Sequence, residues 1–379
     1  MRATFRLGRI AGVPVGVNWS VLVIFALIGW LLSADQFPRS YPDRPGWAYL
    51  AAGLAAAVVF FLGLLAHEVS HAVVAKRHGI EVAGITLWLF GGVAELRGEA
   101  PDPGAELRIA GIGPLVSLLL GVFFGAVAVL LALAGQDGLL LGSVSWLAGI
   151  NVLLAVFNIL PAAPLDGGRL LSAAVWKATG DRARASVVAA RAGWVLGVLL
   201  IGLGLWQFLA GYGVGGIWLA LIGWFLIGAA GVEERQARLG SALSGVRVGE
   251  VMTPQPQTAS ADLTVADFVD HYLFAYRHTA LPLTEDGRPV GLVTLDRVRG
   301  TPTDRRAATT LGEVSCRAGD LVLARPEEQL TDLLPRLTGC ADGRALVVTG
   351  DQLVGIVSPS DISRAVQRAS LRDQPAGRR

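Results

Sequence analysis

The chain has 379 residues and a net charge of +2, with 53% hydrophobic and 16% charged residues. Residues 1–232 hold 25 Asp, Glu, Lys and Arg and residues 233–379 hold 37, about 11% against about 25%, and only the second figure is usual for a soluble domain. The near-neutral balance and the lack of a long basic run exclude a nucleic-acid partner, and the apolar content excludes disorder.

Two solvents are implied, with long apolar runs predicting six spans at about 18–33, 47–76, 107–134, 139–160, 193–210 and 214–231, each close to the roughly 20 residues that cross a bilayer. The first follows a basic flank, Arg2 to Arg9, without a small-residue cleavage site, so it reads as an uncleaved first helix. With a cytoplasmic N-terminus, that side carries Arg2, Arg6, Arg9, Lys76, Arg77, Arg97, Arg108, Arg169, Lys177, Arg182, Arg184 and Arg191, and the outer loops carry only Arg39 and Arg44. This asymmetry fixes the orientation, and an even number of spans returns the C-terminal part to the cytoplasm.

Two segments break the helical pattern. Ile85 to Glu95 is apolar, rich in β-formers and too short to cross, which predicts a re-entrant loop or hairpin. Asn158 to Arg169 contains Pro161 and Pro164 and cannot continue as helix. Irregular backbone survives at membrane depth only where protein or a watery cavity surrounds it, so a cavity is expected on the cytoplasmic side.

The second span ends in His67-Glu68-Val69-Ser70-His71. On a helix this H-E-x-x-H spacing sets both imidazoles one turn apart on one face, able to reach a single ion, with Glu68 beside them. His67 precedes Lys76 by about 14 Å of helix at 1.5 Å per residue, so the cluster lies inside the bilayer, where ionisable groups mark function. A catalytic zinc takes three protein ligands. Asp166, the one acidic residue between Asp137 and Asp181, is the natural third, the alternative being a turn in which it caps the following helix.

These motifs resemble the site-2 protease family of intramembrane zinc metalloproteases. His67-Glu68-Val69-Ser70-His71 together with Asn158-x-x-Pro161-x-x-x-Leu165-Asp166-Gly167 carries the resemblance across residues 1–232. It implies one zinc per chain held by His67, His71 and Asp166, Glu68 as general base and Asn158 steadying the oxyanion. It also implies a substrate-binding β-element at Phe90-Gly91-Gly92-Val93, with Gly91, Gly92 and Val93 as its contact positions. The implied activity is cleavage of a single-span membrane protein, such as an anti-sigma factor, in regulated intramembrane proteolysis. Asn158 could instead bond freed backbone beside Pro161, and Gly91-Gly92 could be only a tight loop. Asn18-Trp19 stands where members of the family often carry His-Trp, and no role is assigned to Asn18. Asn151 reads as helix packing.

From Val246 the chain repeats. Val248-Gly-Glu-Val-Met-Thr-Pro254 opens a half that closes at Pro289 to Asp296; a second opens near Leu311 and closes at Leu353 to Asp361. The repeat resembles a tandem CBS pair, which implies an adenine nucleotide and a homodimer formed through these modules. Ser358 and Asp361 fit the nucleotide pattern, whereas the first half has Arg297 where an aspartate is expected. Cys316 and Cys340, both in this polar part, read as two reduced cytosolic thiols.

The expectation is therefore a polytopic α-helical membrane protein, six transmembrane helices with a re-entrant β-element over residues 1–232, plus a cytoplasmic α/β tandem CBS domain over 246–370, divided into 246–300 and 311–370. It would sit in the lipid bilayer of the cell membrane with both termini cytoplasmic. The rival reading is a CBS-regulated channel or transporter using the buried His and Glu for ion passage.

Overall fold

In a computed structural model describing residues 4–372, apart from 89–90, 212, 214, 273–278 and 338, the chain forms two compact units, Met1–Ala237 and Arg238–Arg379.

The first unit opens with two short strands, β1 (Phe5–Ile10) and β2 (Val13–Val17), followed by α1 (Ser20–Ser40) and α2 (Gly46–Arg77). Then come β3 (Glu81–Trp88), β4 (Gly91–Arg97), α3 (Pro103–Leu133), α4 (Leu139–Ile159), the shorter α5 (Asp166–Thr179), α6 (Arg182–Leu209) and α7 (Gly215–Leu243). All of the helices except α5 are long and apolar enough to cross a membrane, which matches the six spans expected. Three overrun the expected bounds: α1 runs to Ser40 rather than ending near 33, α6 starts at Arg182 rather than near 193, and α7 runs to Leu243 rather than ending near 231. A helix need not stop where hydrocarbon does, and Arg182, Arg184, Glu233 and Glu234 carry α6 and α7 onward in polar surroundings. Large apolar side chains such as Trp47, Leu133, Leu199 and Trp224 are exposed, as lipid-facing residues of spans are. α2 is the most buried of the six, and α1, α3 and α4 all pack on it.

The irregular segment expected between the second and third spans is a hairpin, β3 with β4, from Glu81 to Arg97. It belongs to a larger sheet that the sequence reading missed, of order β1-β2-β3-β4, in which β2 and β3 run parallel and the other neighbours antiparallel. Residues before Asn18, read only as a basic flank, form its first two strands. Their turn has Ala11 at φ 51° and Gly12 at φ 73°, the left-handed pair that closes a two-residue hairpin. Val13, Val15, Ile85 and Leu87 bury one face of the sheet against Leu65 and Ala72 of α2. β4 is left as an edge strand.

The second unit contains β5 (Thr253–Pro254), β6 (Ala280–Glu285), β7 (Arg288–Thr294), β8 (Cys316–Arg317), β9 (Leu323–Ala324), β10 (Ala345–Thr349), β11 (Gln352–Val357) and α8 (Pro359–Arg372). Its sheets, β5-β11-β10-β9 and β6-β7-β8, do not follow the sequence repeat. Each half opens with a strand that pairs in the other half's sheet: Thr253 lies opposite Ile356, and Cys316 opposite Leu292. Cys316 and Cys340, read as two separate thiols, lie side by side with Cα atoms 5.7 Å apart. The exchange explains the meeting: β8 carries Cys316 into a buried cluster with Ala341 and Leu346, and Cys340 packs against that cluster.

Candidate metal centre

His67 and His71 lie in the last third of α2, both buried, with ring centroids 4.9 Å apart. Asp166 opens α5. The cap position of that helix is Leu165, without a side-chain cap, so the Asp166 carboxylate is turned elsewhere. Its Oδ2 lies 3.1 Å from His67 Nε2 and 3.3 Å from His71 Nε2, and the two Nε2 atoms are 3.1 Å apart. A tetrahedral zinc with bonds of about 2.0–2.1 Å sets its ligand atoms about 3.3 Å from one another. The triangle therefore has the size of three ligands around one ion, and the three residues are the one such group found among the described residues.

Room for the ion is made by α3. A Cβ on Gly113 would fall 2.1 Å from His71 Nε2 and 2.6 Å from His67 Nε2, so any larger residue fills the space the three ligands face. The same helix orients both rings. His71 Nδ1–H donates to the Ile109 carbonyl oxygen at 2.6 Å, and Ser117 Oγ lies 2.9 Å from His67 Nδ1. With its Nδ1–H given to a carbonyl oxygen, His71 presents the Nε2 lone pair inward, the arrangement that outer partners impose on metal-bound histidines. Burial pushes the Asp166 carboxyl up, but hydrogen bonds and charge from the two histidines outweigh it and hold it below the usual carboxylate range.

Asp166 comes from the irregular stretch between α4 and α5. That stretch is held by Ala163, whose N–H donates to Ala189 O of α6 at 3.1 Å. Three glycines let backbone meet backbone here. A Cβ on Gly167 would lie 2.2 Å from Ile159 O, one on Gly168 2.4 Å from Ala163 N, and one on Gly193 1.9 Å from Ala163 O. Gly167-Gly168 thus serves close packing rather than a turn.

Glu68 is half-buried beside the triangle, and the Gly92 N–H of β4 bonds its carboxylate. A Cβ on Gly92 would fall 2.2 Å from Glu68 Cγ, so the hairpin touches the glutamate only because position 92 has no side chain. Gly91, Gly92 and Val93 all lie in β4, opposite Trp88, Leu87 and Thr86, while Phe90 falls outside the described residues. Asn158 is half-buried in the last turn of α4; among the described residues it makes no hydrogen bond to the three ligands. In the second unit, Asp361 is buried and accepts from Thr253 Oγ1 at 3.0 Å and from the Ser358 N–H at 2.8 Å. It also pairs with Arg364. Asp361 and Arg364 border a cleft of about 190 Å³ that Glu250 and Arg368 also line.

Sequence reasoning missed Gly113, Ser117 and Ile109. The one available signal was spacing: Glu106, Ile109, Gly113 and Ser117 recur at three- and four-residue steps on one face of an apolar helix.

Two histidines and a carboxylate around ion-sized space, with a glutamate beside them in a helix long enough to span, define a membrane-embedded zinc metalloprotease. The comparisons agree. Residues 55–136 and 132–200 match Peptidase family M50, and residues 248–301 and 312–368 match the CBS domain. The chain is 46% identical over 368 residues to Rip3 of Mycobacterium tuberculosis, named as a zinc metalloprotease, covering 97% of this chain and 93% of that one. It is 27% identical over 375 residues to the zinc metalloprotease MJ0392 of Methanocaldococcus jannaschii, covering 99% of each. Among solved structures it resembles the site-2 protease from M. jannaschii, with 27% identity and a TM-score of 0.44 over 61% of this chain and 95% of that one. The chain belongs to peptidase family M50, the site-2 proteases, and is a multi-pass membrane metalloprotease with a C-terminal CBS pair.

Proposed function

We propose that the protein hydrolyses a peptide bond within or near the transmembrane segment of a single-span membrane protein, an anti-sigma factor being the kind of substrate expected, from the cell membrane with both termini cytoplasmic. The observation that carries this reading is the 3.1–3.3 Å triangle of His67, His71 and Asp166, set beside Glu68 in a spanning helix. In this reading those three residues hold one zinc, which when bound supplies a Lewis acid and a water acidic enough to attack near neutral pH. Glu68 takes the attacking water's proton on its carboxylate and returns it to the leaving amine. The amide of Asn158 donates to the oxyanion as it develops.

A helical substrate hides its carbonyls and must be extended before cleavage. β4, which carries Gly91, Gly92 and Val93, is the edge strand of its sheet, which supports strand addition, and the Gly92 N–H bonded to Glu68 brings that edge to the base. The protease part is residues 1–232 and the regulatory part 246–370. An adenine nucleotide at Ser358 and Asp361 would use the cleft beside Arg364 and Arg368; the first half is occupied by Arg297, whose guanidinium donates to Val314 O at 3.2 Å. Pairing of CBS modules supports a homodimer. The channel reading has no counterpart to a closed ligand triangle beside an orientable base.

The test compares membranes of cells carrying the wild-type protein or Glu68→Gln by quantitative proteomics. Zinc content should be unchanged in the variant, and one or a few uncleaved single-span proteins should accumulate. Normal processing by Glu68→Gln would remove the assignment.

A further inference from the structure

One face of α3 meets two of the candidate ligands directly and the helix that carries the third. Ser117 meets His67 and the Ile109 carbonyl meets His71; one turn before Ile109, Glu106 Oε1 accepts from Arg169 Nε at 2.8 Å. Arg169 lies one turn after Asp166 on α5. Glu106 is buried and Arg169 is half-buried, so the pair is an internal tie between two helices rather than a solvated surface bridge, the kind that contributes little. The histidines need no such tie, because α2 itself fixes their spacing. Asp166 does, because it follows a segment without regular backbone hydrogen bonds and opens a helix of only 14 residues. A third charged group faces the pair: the Glu233 carboxylate of α7 is within electrostatic reach of both Arg169 and Glu106.

We propose that Arg169 is a positioning residue for the third ligand: held by Glu106, it clamps the first turn of α5 so that Asp166 Oδ2 stays between the two imidazoles. This rests on the metal-centre reading above. Arg169 touches neither ion nor substrate; it acts through the backbone turn it shares with Asp166.

The experiment is a zinc competition titration against a chelator on the full-length protein in detergent, with the thermal midpoint of the zinc-free form measured in parallel. Loss of an outer partner of a metal site weakens affinity by about 10–100-fold. Arg169→Met, which keeps the bulk and removes the charge, is expected at the low end, about tenfold weaker. Arg169→Lys keeps a cation in place and is expected within about threefold of wild type. Glu106→Gln should lose less than Arg169→Met, because the Glu233 carboxylate remains within electrostatic reach of the guanidinium, and the double variant Glu106→Gln, Glu233→Gln should fall to the level of Arg169→Met. If Arg169→Met does not fold, the double variant carries the test alone. Zinc binding by Arg169→Met, or by the double variant, within twofold of wild type overturns the proposal. So does an equal loss in Arg169→Met and Arg169→Lys that follows their thermal midpoints, since that is a merely structural role. His67→Ala in the same titration separates the two readings: undiminished zinc binding there removes the metal centre itself, whereas its loss alongside a normal Arg169→Met removes only the clamp.

Discussion

The candidate zinc site is built from two unlike pieces of chain. His67 and His71 stand on α2, where helix periodicity alone puts both rings on one face, and their outer partners come from one neighbouring helix. Asp166 follows six residues of irregular chain and reaches the same point because Gly167, Gly168 and Gly193 let three pieces of backbone touch. The first piece is preorganised by local geometry and the second by tertiary contact. Each should therefore fail in its own way when damaged.

The largest effects come from adding one methyl group to each side. Gly168→Ala would set a Cβ 2.4 Å from Ala163 N, a backbone atom. Overpacking costs about 1–3 kcal/mol and occasionally more, and because backbone cannot step aside a loss near 3 kcal/mol is expected, with the thermal midpoint and zinc falling together. Gly113→Ala would meet His71 Nε2 at 2.1 Å, a side-chain atom at the space the candidate ligands face. Here zinc and cleavage should be lost while the thermal midpoint of the zinc-free protein stays within a few degrees. Identical behaviour of the two variants in calorimetry and metal analysis would erase the distinction between the pieces. A smaller effect is expected at Ser117→Ala, which frees His67 Nδ1: zinc affinity about tenfold weaker, at the low end for an outer partner, with little change in stability. An unchanged affinity would mean that α2 packing alone orients the ring.

The same contrast decides what could be read from the sequence. His67, Glu68 and His71 were legible because their spacing is a helix period and their polarity is out of place in an apolar run. Asp166 was legible by scarcity, as the one acid in a long apolar stretch. Gly113 and Ser117 were not, since glycine and serine are ordinary in membrane helices and their meaning depends on which face meets α2. The packing role of Gly167-Gly168 was hidden for a similar reason: a close backbone approach leaves no local signature. The strands before Asn18 were hidden by their basic residues, although Ala11-Gly12 between two short β-rich runs was a usable hairpin signal. In the second unit the repeat was visible, but the exchange of opening strands was not, and without it nothing brings Cys316 to Cys340.

The smallest effect should come from Asn151, a polar residue that belongs to the helical side without serving the ion. It is buried in α4, its side-chain N–H donates to Leu147 O at 2.8 Å, and its Oδ1 has no partner among the described residues. That oxygen lies near Gly63, one turn before His67. An unpaired buried acceptor costs about 1–3 kcal/mol, and filling the space with a bulkier isostere costs a similar amount, so Asn151→Leu should change stability by less than about 1 kcal/mol in either direction. Zinc affinity and cleavage should both stay at wild-type levels if the residue only packs α4. Retained zinc with cleavage reduced tenfold or more would instead assign the free Oδ1 to the substrate, and would extend the site from the triangle down the shared face of α2 and α4.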